Sequence, residues 1–226
     1  LTEMQKLAYA LPFLVVSLTG IATSRVKATG RRYVWIGIYL FTLQVALTAY
    51  YALNSVSPFL PGIVWILLSP LYLELALFLR RKYGAVLDAW SGADRHLLLA
   101  GCAFVVLFLA RHLLVHMQSE LYLGPLKVRL ILELLGIAVM LYWALAKRPD
   151  MEKLSALWTR VHPLFWEGVV AFSIFTVALE TPSVWHPAAW MISALALLFV
   201  GRVWKGLLSR FRLYSLLLFW VAAFHV

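Results

Sequence analysis

The sequence predicts an all-α membrane protein with about eight transmembrane helices arranged as consecutive helical hairpins, and three observations lead there. Of the 226 residues, 63% are hydrophobic and only 13% charged, with a mean hydropathy of +0.86. Soluble domains carry roughly 25% charged residues, so this chain has too little polar surface to coat a water-soluble globule. The apolar residues also fall into runs close to the roughly 20 residues that a helix needs to cross a bilayer core of about 30 Å. Finally, the basic residues concentrate in every second connection between those runs.

Eight runs qualify: 7–23, 34–53, 62–79, 97–118, 129–146, 165–180, 188–206 and 211–226. Lipid offers unpaired backbone no water, so spans are helices or closed barrels. These runs lack the period-two alternation of barrel strands. The first leads into Ser24-Arg25-Val26-Lys27 rather than a small-residue cleavage site, which makes it a span and not a secretory signal. The chain starts at Leu1 and ends at Val226 inside an apolar run, so the expectation is one polytopic domain over 1–226 that belongs to a longer chain. Cys102 is the one cysteine, and an intrachain disulfide is excluded.

Arg25, Lys27, Arg31 and Arg32 lie between the first two runs, and Arg80, Arg81, Lys82 and Arg95 between the third and fourth. Lys147, Arg148, Lys153 and Arg160 follow the fifth, and Arg202, Lys205, Arg210 and Arg212 surround the last turn. The alternate connections, 54–61, 119–127 and 181–187, hold Lys127 alone, with Arg129 just beyond. Cytoplasmic loops carry the Lys and Arg excess, so both ends of the segment are expected on the non-cytoplasmic side of a bacterial inner membrane. The net charge of +10 is then topology and contact with anionic headgroups, and nucleic acid is not an expected partner.

Each helix running outward opens with a basic residue near an aromatic or a His: Arg31-Arg32-Tyr33, Arg95-His96, Arg160-Val161-His162 and Arg210-Phe211-Arg212-Leu213-Tyr214. The repeating unit is a helical hairpin, although any up-down bundle with basic inner loops shows such a pattern. With Arg212-Leu213-Tyr214 before the final apolar run, this array resembles the large bacterial many-spanning membrane proteins grouped as a domain of unknown function, DUF2339. The resemblance implies an inner-membrane protein with more than eight helices. It assigns no chemistry and no residue roles.

Ionisable groups inside spans are costly and point to function or to specific pairing. The fourth span carries Arg111, His112 and His116, the fifth carries Glu133, and Glu120 sits between them. Arg111 and Glu133 fall at comparable depth on adjacent antiparallel helices, so an ion pair is expected there; it either fixes helix register or lines an outward pocket for an anionic headgroup or a carboxylate. His112 and His116 are four apart and share a helix face. The Leu113-Leu114-Val115 between them lacks the Glu of a zinc-protease helix, so no metal is expected. On the inner side, Glu74 follows Pro70, which should interrupt its helix and free a backbone carbonyl; Glu74 is either a packing residue or a proton relay. Gln44 at mid-membrane is expected to hydrogen-bond between helices. Trp and Tyr near span ends (Tyr33, Trp35, Tyr50, Tyr51, Trp65, Trp185, Trp190, Trp204) fit an aromatic belt.

The sequence has no Gly-rich phosphate loop, nucleophile elbow, CxxC or acidic pair spaced for two metals, so no cofactor is expected and an intramembrane enzyme is the weakest of three alternatives. The first is a structural or accessory subunit, a scaffold, whose apolar faces bind other membrane subunits. The second is a transporter or lipid-handling protein with its site at Arg111/Glu133 or at Glu74.

Overall fold

A computed structural model describes residues 30–89, 92–116, 121–123, 126–146, 156–203 and 208–224. The described residues form an all-α protein: α1 (Gly30–Asn54), α2 (Leu60–Ala89), α3 (Ala93–Arg111), α4 (Val128–Leu145), α5 (Ala156–Glu180), α6 (His186–Val203) and α7 (Leu208–Phe224). A π-helical turn, His112–His116, extends α3, a short β-hairpin pairs Tyr122–Leu123 with Leu126–Lys127, and a 3₁₀ turn, Ser183–Trp185, precedes α6.

Among the described residues six helical stretches are long and apolar enough to cross a membrane: Trp35–Asn54, Leu60–Lys82, Ala93–His116, Val128–Leu145, Val161–Glu180 and Ser183–Arg202. Phe211–Ala223 is apolar but shorter. The expected first span, 7–23, lies outside the described residues, as do Arg25, Lys27 and Glu120.

Two expectations about helix bounds are corrected. Helix α2 continues through Arg80, Arg81 and Lys82 to Ala89, because a hydropathy run marks the apolar part of a helix and not where its backbone hydrogen bonding stops. Pro70 lies inside α2 without ending it; the turns on either side keep their own i→i−4 bonds when one donor is lost.

The ends of the helices follow local chemistry. The Ser57 hydroxyl accepts from the Phe59 N–H (3.4 Å) and the Ser57 carbonyl from the Leu60 N–H (3.3 Å). Pro61 then occupies the first turn of α2, where its missing N–H has no helical partner to lose. Gly92, at φ +69°, is the N-cap of α3. Its left-handed backbone suits glycine, and a Cβ there would come within 3.1 Å of the Arg95 side chain.

The chain divides into two compact units, Leu1–Trp166 and Glu167–Val226, with the boundary inside α5. In the first, α2 and α3 pack most extensively, α1 lies against both, and α4 joins α2 and α3. The buried cluster of α1 to α3 includes Ala46, Ala49, Ala76, Ala93 and Ala100 around Trp65, Tyr72 and Phe104. Small side chains let helix backbones approach closely where lipid supplies no hydrophobic drive between helices. In the second unit α6 packs against α7, and the Ser215 hydroxyl donates to the Ala194 carbonyl (2.9 Å).

Candidate functional site: the polar end of the first unit

The polar residues of α3 and α4 gather where the π turn follows α3, but not in the expected pairing. Arg111 and Glu133 do not meet. Arg111 instead donates from Nε (3.0 Å) and Nη2 (2.6 Å) to the Pro58 carbonyl and from Nη2 to Asn54 Oδ1 (2.5 Å). Its guanidinium also lies over Tyr50 and Trp65, 5.3 and 5.9 Å from their ring centroids. The physical reason is rotation: consecutive helical residues point about 100° apart, so Arg111 reaches the α1–α2 connection while His112 turns to α4.

Glu133 therefore pairs with His112, Nε2 to Oε1 at 3.3 Å, with both side chains fully buried. Arg129, one turn earlier on α4, brings its Nε to 3.9 Å from the same oxygen. The other carboxylate oxygen, Oε2, is buried with no hydrogen-bond partner. Phe108 stacks on the His112 ring at 5.9 Å, and the His112 and His116 rings meet edge to face at 5.7 Å. The shared face expected from the four-residue spacing thus forms, although the turn that carries it is π-helical.

His116 donates from Nε2 to the Pro58 carbonyl (3.1 Å) and packs against Phe59, ring centroids 5.1 Å apart. Its Nδ1 is buried without a partner. The fit depends on Gly62: a Cβ at that position would stand 2.9 Å from His116 Cε1. One carbonyl, that of Pro58, accordingly receives both Arg111 and His116 and holds the α1–α2 connection against the end of α3. Among the described residues no group of three or more His, Cys, Asp or Glu is arranged to hold a metal ion.

The other predicted polar residues lie apart from this cap. Glu74 accepts a hydrogen bond from the Tyr142 hydroxyl of α4. Gln44 donates to Thr48 Oγ1 (2.9 Å) one turn along its own helix, so it does not join two helices as expected. That task falls to other residues. The Trp143 indole N–H donates to Ser69 Oγ (2.9 Å), with the Trp143 ring so close to α3 that a Cβ on Gly101 would lie 2.9 Å from it. Trp65 is buried, not a member of the aromatic belt, and donates to the Ala46 carbonyl (3.2 Å). Trp143 also stacks on Phe165 at 4.8 Å and lies 5.9 Å from Trp158; the nearby His162 donates to the Ala144 carbonyl (2.7 Å).

Asp94 is the main polar residue that sequence reasoning missed. It lies between the third and fourth apolar runs of the sequence, yet it occupies the first turn of α3, fully buried, with Arg80 Nη1 3.7 Å from its Oδ2. The available signal was Gly92, a helix-start glycine two residues before an acidic first turn.

Comparison with protein-family models, with curated proteins and with solved structures finds no match to this chain.

Proposed function

We propose that the chain is a structural or accessory subunit, a scaffold, of a bacterial inner-membrane assembly, with other membrane subunits and anionic lipid headgroups as its partners. The observation that supports this reading is the use made of the polar groups within the spans. Arg111 and His116 close on the Pro58 carbonyl, Trp143 closes on Ser69 and Trp65 on Ala46. These groups tie one helix to another inside the chain, while large apolar side chains such as Leu71 (61% exposed) and Val106 (62%) point outward. Side chains of that kind suit lateral association with lipid or with other helices.

In this reading the chain has eight spans as consecutive hairpins, both ends of the segment are non-cytoplasmic, and the basic connections touch anionic headgroups on the inner side. The likeness to the DUF2339 proteins belongs to the same proposal. A second reading, a transporter or lipid-handling protein, is favoured by one observation: Glu133 Oε2 and His116 Nδ1 are buried without hydrogen-bond partners.

Native mass spectrometry of the protein extracted in a mild detergent separates the two. The scaffold reading expects the chain at a fixed ratio with other membrane subunits. A lone chain that carries a solute across vesicle membranes, and stops doing so in Glu133→Gln, would favour the transporter.

A further inference from the structure

The short hairpin between the π turn and α4 has a surface that water does not explain. Tyr122 pairs with Lys127 and Leu123 with Leu126 in an antiparallel ladder, and the Val128 N–H donates to the Leu121 carbonyl (2.9 Å) to continue the closure. Leu121, Tyr122, Leu123 and Leu126 are 57%, 61%, 68% and 48% exposed. Strand side chains alternate between faces, so a hairpin resting on a protein would bury one set and expose the other. Here neither face is buried: Leu121, Leu123 and Leu126 form one exposed apolar face, and the exposed Tyr122 shares the other with the half-buried Lys127. Two-stranded hairpins are marginal in water even when longer than this one, and this ladder has only two residues in each strand.

Its place in the chain supplies the missing medium. The hairpin joins the end of one membrane-crossing stretch, Ala93–His116, to the start of another, Val128–Leu145, and so sits at the membrane surface. Lys127 and Arg129 follow directly on the apolar residues, an order that suits a lipid boundary: acyl chains beside Leu and Tyr, phosphates beside Lys and Arg. The outward N–H and C=O groups of so short a ladder need polar neighbours, which fixes the depth at the headgroup boundary and not within the hydrocarbon.

From this arrangement we infer that Leu121, Tyr122, Leu123, Leu126 and Lys127 form a lipid-binding element that lies in the membrane interface, with Tyr122 and Leu123 inserted beside the acyl chains and Lys127 at the phosphates. The inference rests on α3 and α4 crossing the membrane. In that position the hairpin anchors the ends of both helices that it joins.

The test uses the full chain in phospholipid nanodiscs, in a Cys102→Ala background, with one environment-sensitive fluorophore on Leu123→Cys or, as a control, on Val106→Cys in the middle of α3. Fluorescence of the Leu123 label should be lost to lipid carrying a nitroxide high on its acyl chain and should resist iodide in the buffer. The Val106 label should respond to nitroxide placed deep in the bilayer. Iodide quenching at Leu123 together with lipid quenching at Val106 overturns the interfacial hairpin alone; iodide quenching at both overturns the membrane-spanning reading. A Leu123 label indifferent to both quenchers also overturns the proposal, since a second copy or another protein would then cover the hairpin.

Discussion

The first unit is held together in two ways, at its polar cap and along its Trp143 seam. At the cap, Arg111 and His116 share one acceptor, the Pro58 carbonyl, and Arg111 is only half-buried. Loss of one donor leaves the other, and water reaches what remains. In the seam, Trp143 is fully buried, makes one hydrogen bond to Ser69 and fits against a bare Gly101. Nothing there substitutes for it. The cap is redundant and polar, the seam singular and packed, so equal chemical changes should have unequal consequences.

The largest effect should follow Trp143→Ala, which empties the seam. Truncation of a buried Trp typically costs about 3–5 kcal/mol, measurable as a large fall in the unfolding midpoint in detergent. A fall no greater than that of Arg111→Leu would erase the distinction between the regions.

The two glycines make a sharper comparison. An added methyl at Gly101 meets the rigid Trp143 ring at two atoms and the Ser69 carbonyl at 3.2 Å, whereas at Gly62 its closest contact is one atom of the His116 ring. Overpacking typically costs about 1–3 kcal/mol, so Gly101→Ala should fall at the upper end of that range. Gly62→Ala should be milder, because His116 can turn away while Arg111 keeps hold of Pro58. Thermal midpoints of the two variants in the same detergent check the order.

Arg111→Leu should destabilise by about 1.5 kcal/mol, the lower end of the range for hydrogen bonds to a charged group, because the partners can be rehydrated. A much larger fall in midpoint would mean that His116 cannot hold the connection by itself. Gln44→Leu should give the smallest change, within about 0.6 kcal/mol, since its bond to Thr48 joins residues of one helix.

The contrast also explains what was legible in the sequence. Apolar length revealed the spans because the bilayer imposes it, and six of the expected eight correspond to long apolar helices. Position along the helices was legible too: His112 meets both Glu133 and His116, and Arg111 shares the Pro58 carbonyl with His116. Azimuth was not. A step of one residue along α3 decides whether Glu133 meets Arg111 or His112, and counting from span ends cannot resolve one residue. The seam was hidden for another reason, because Trp143, Ser69 and Gly101 are common in any apolar helix and their meeting is a fact of packing. Asp94 was obscured by the basic residues around it, which read as loop although Arg80 is helical.

The central claim is that buried polar groups in the spans serve as ties within the chain, and the His112–Glu133 pair tests it most directly. Removing one member of a buried hydrogen-bonded pair leaves the other unsatisfied, at a cost of about 1–3 kcal/mol, while replacing both with apolar residues of similar shape can be nearly neutral. The measurement is thermal unfolding in detergent of His112→Leu, Glu133→Leu and the double variant, with Arg129→Gln added to the Glu133→Leu arm so that Arg129 is not left facing leucine. The account predicts a double variant more stable than the less stable of the two singles and folded like the unsubstituted chain. Losses in the two singles that simply add in the double would contradict it, because side chains that act as a tie cannot be independent.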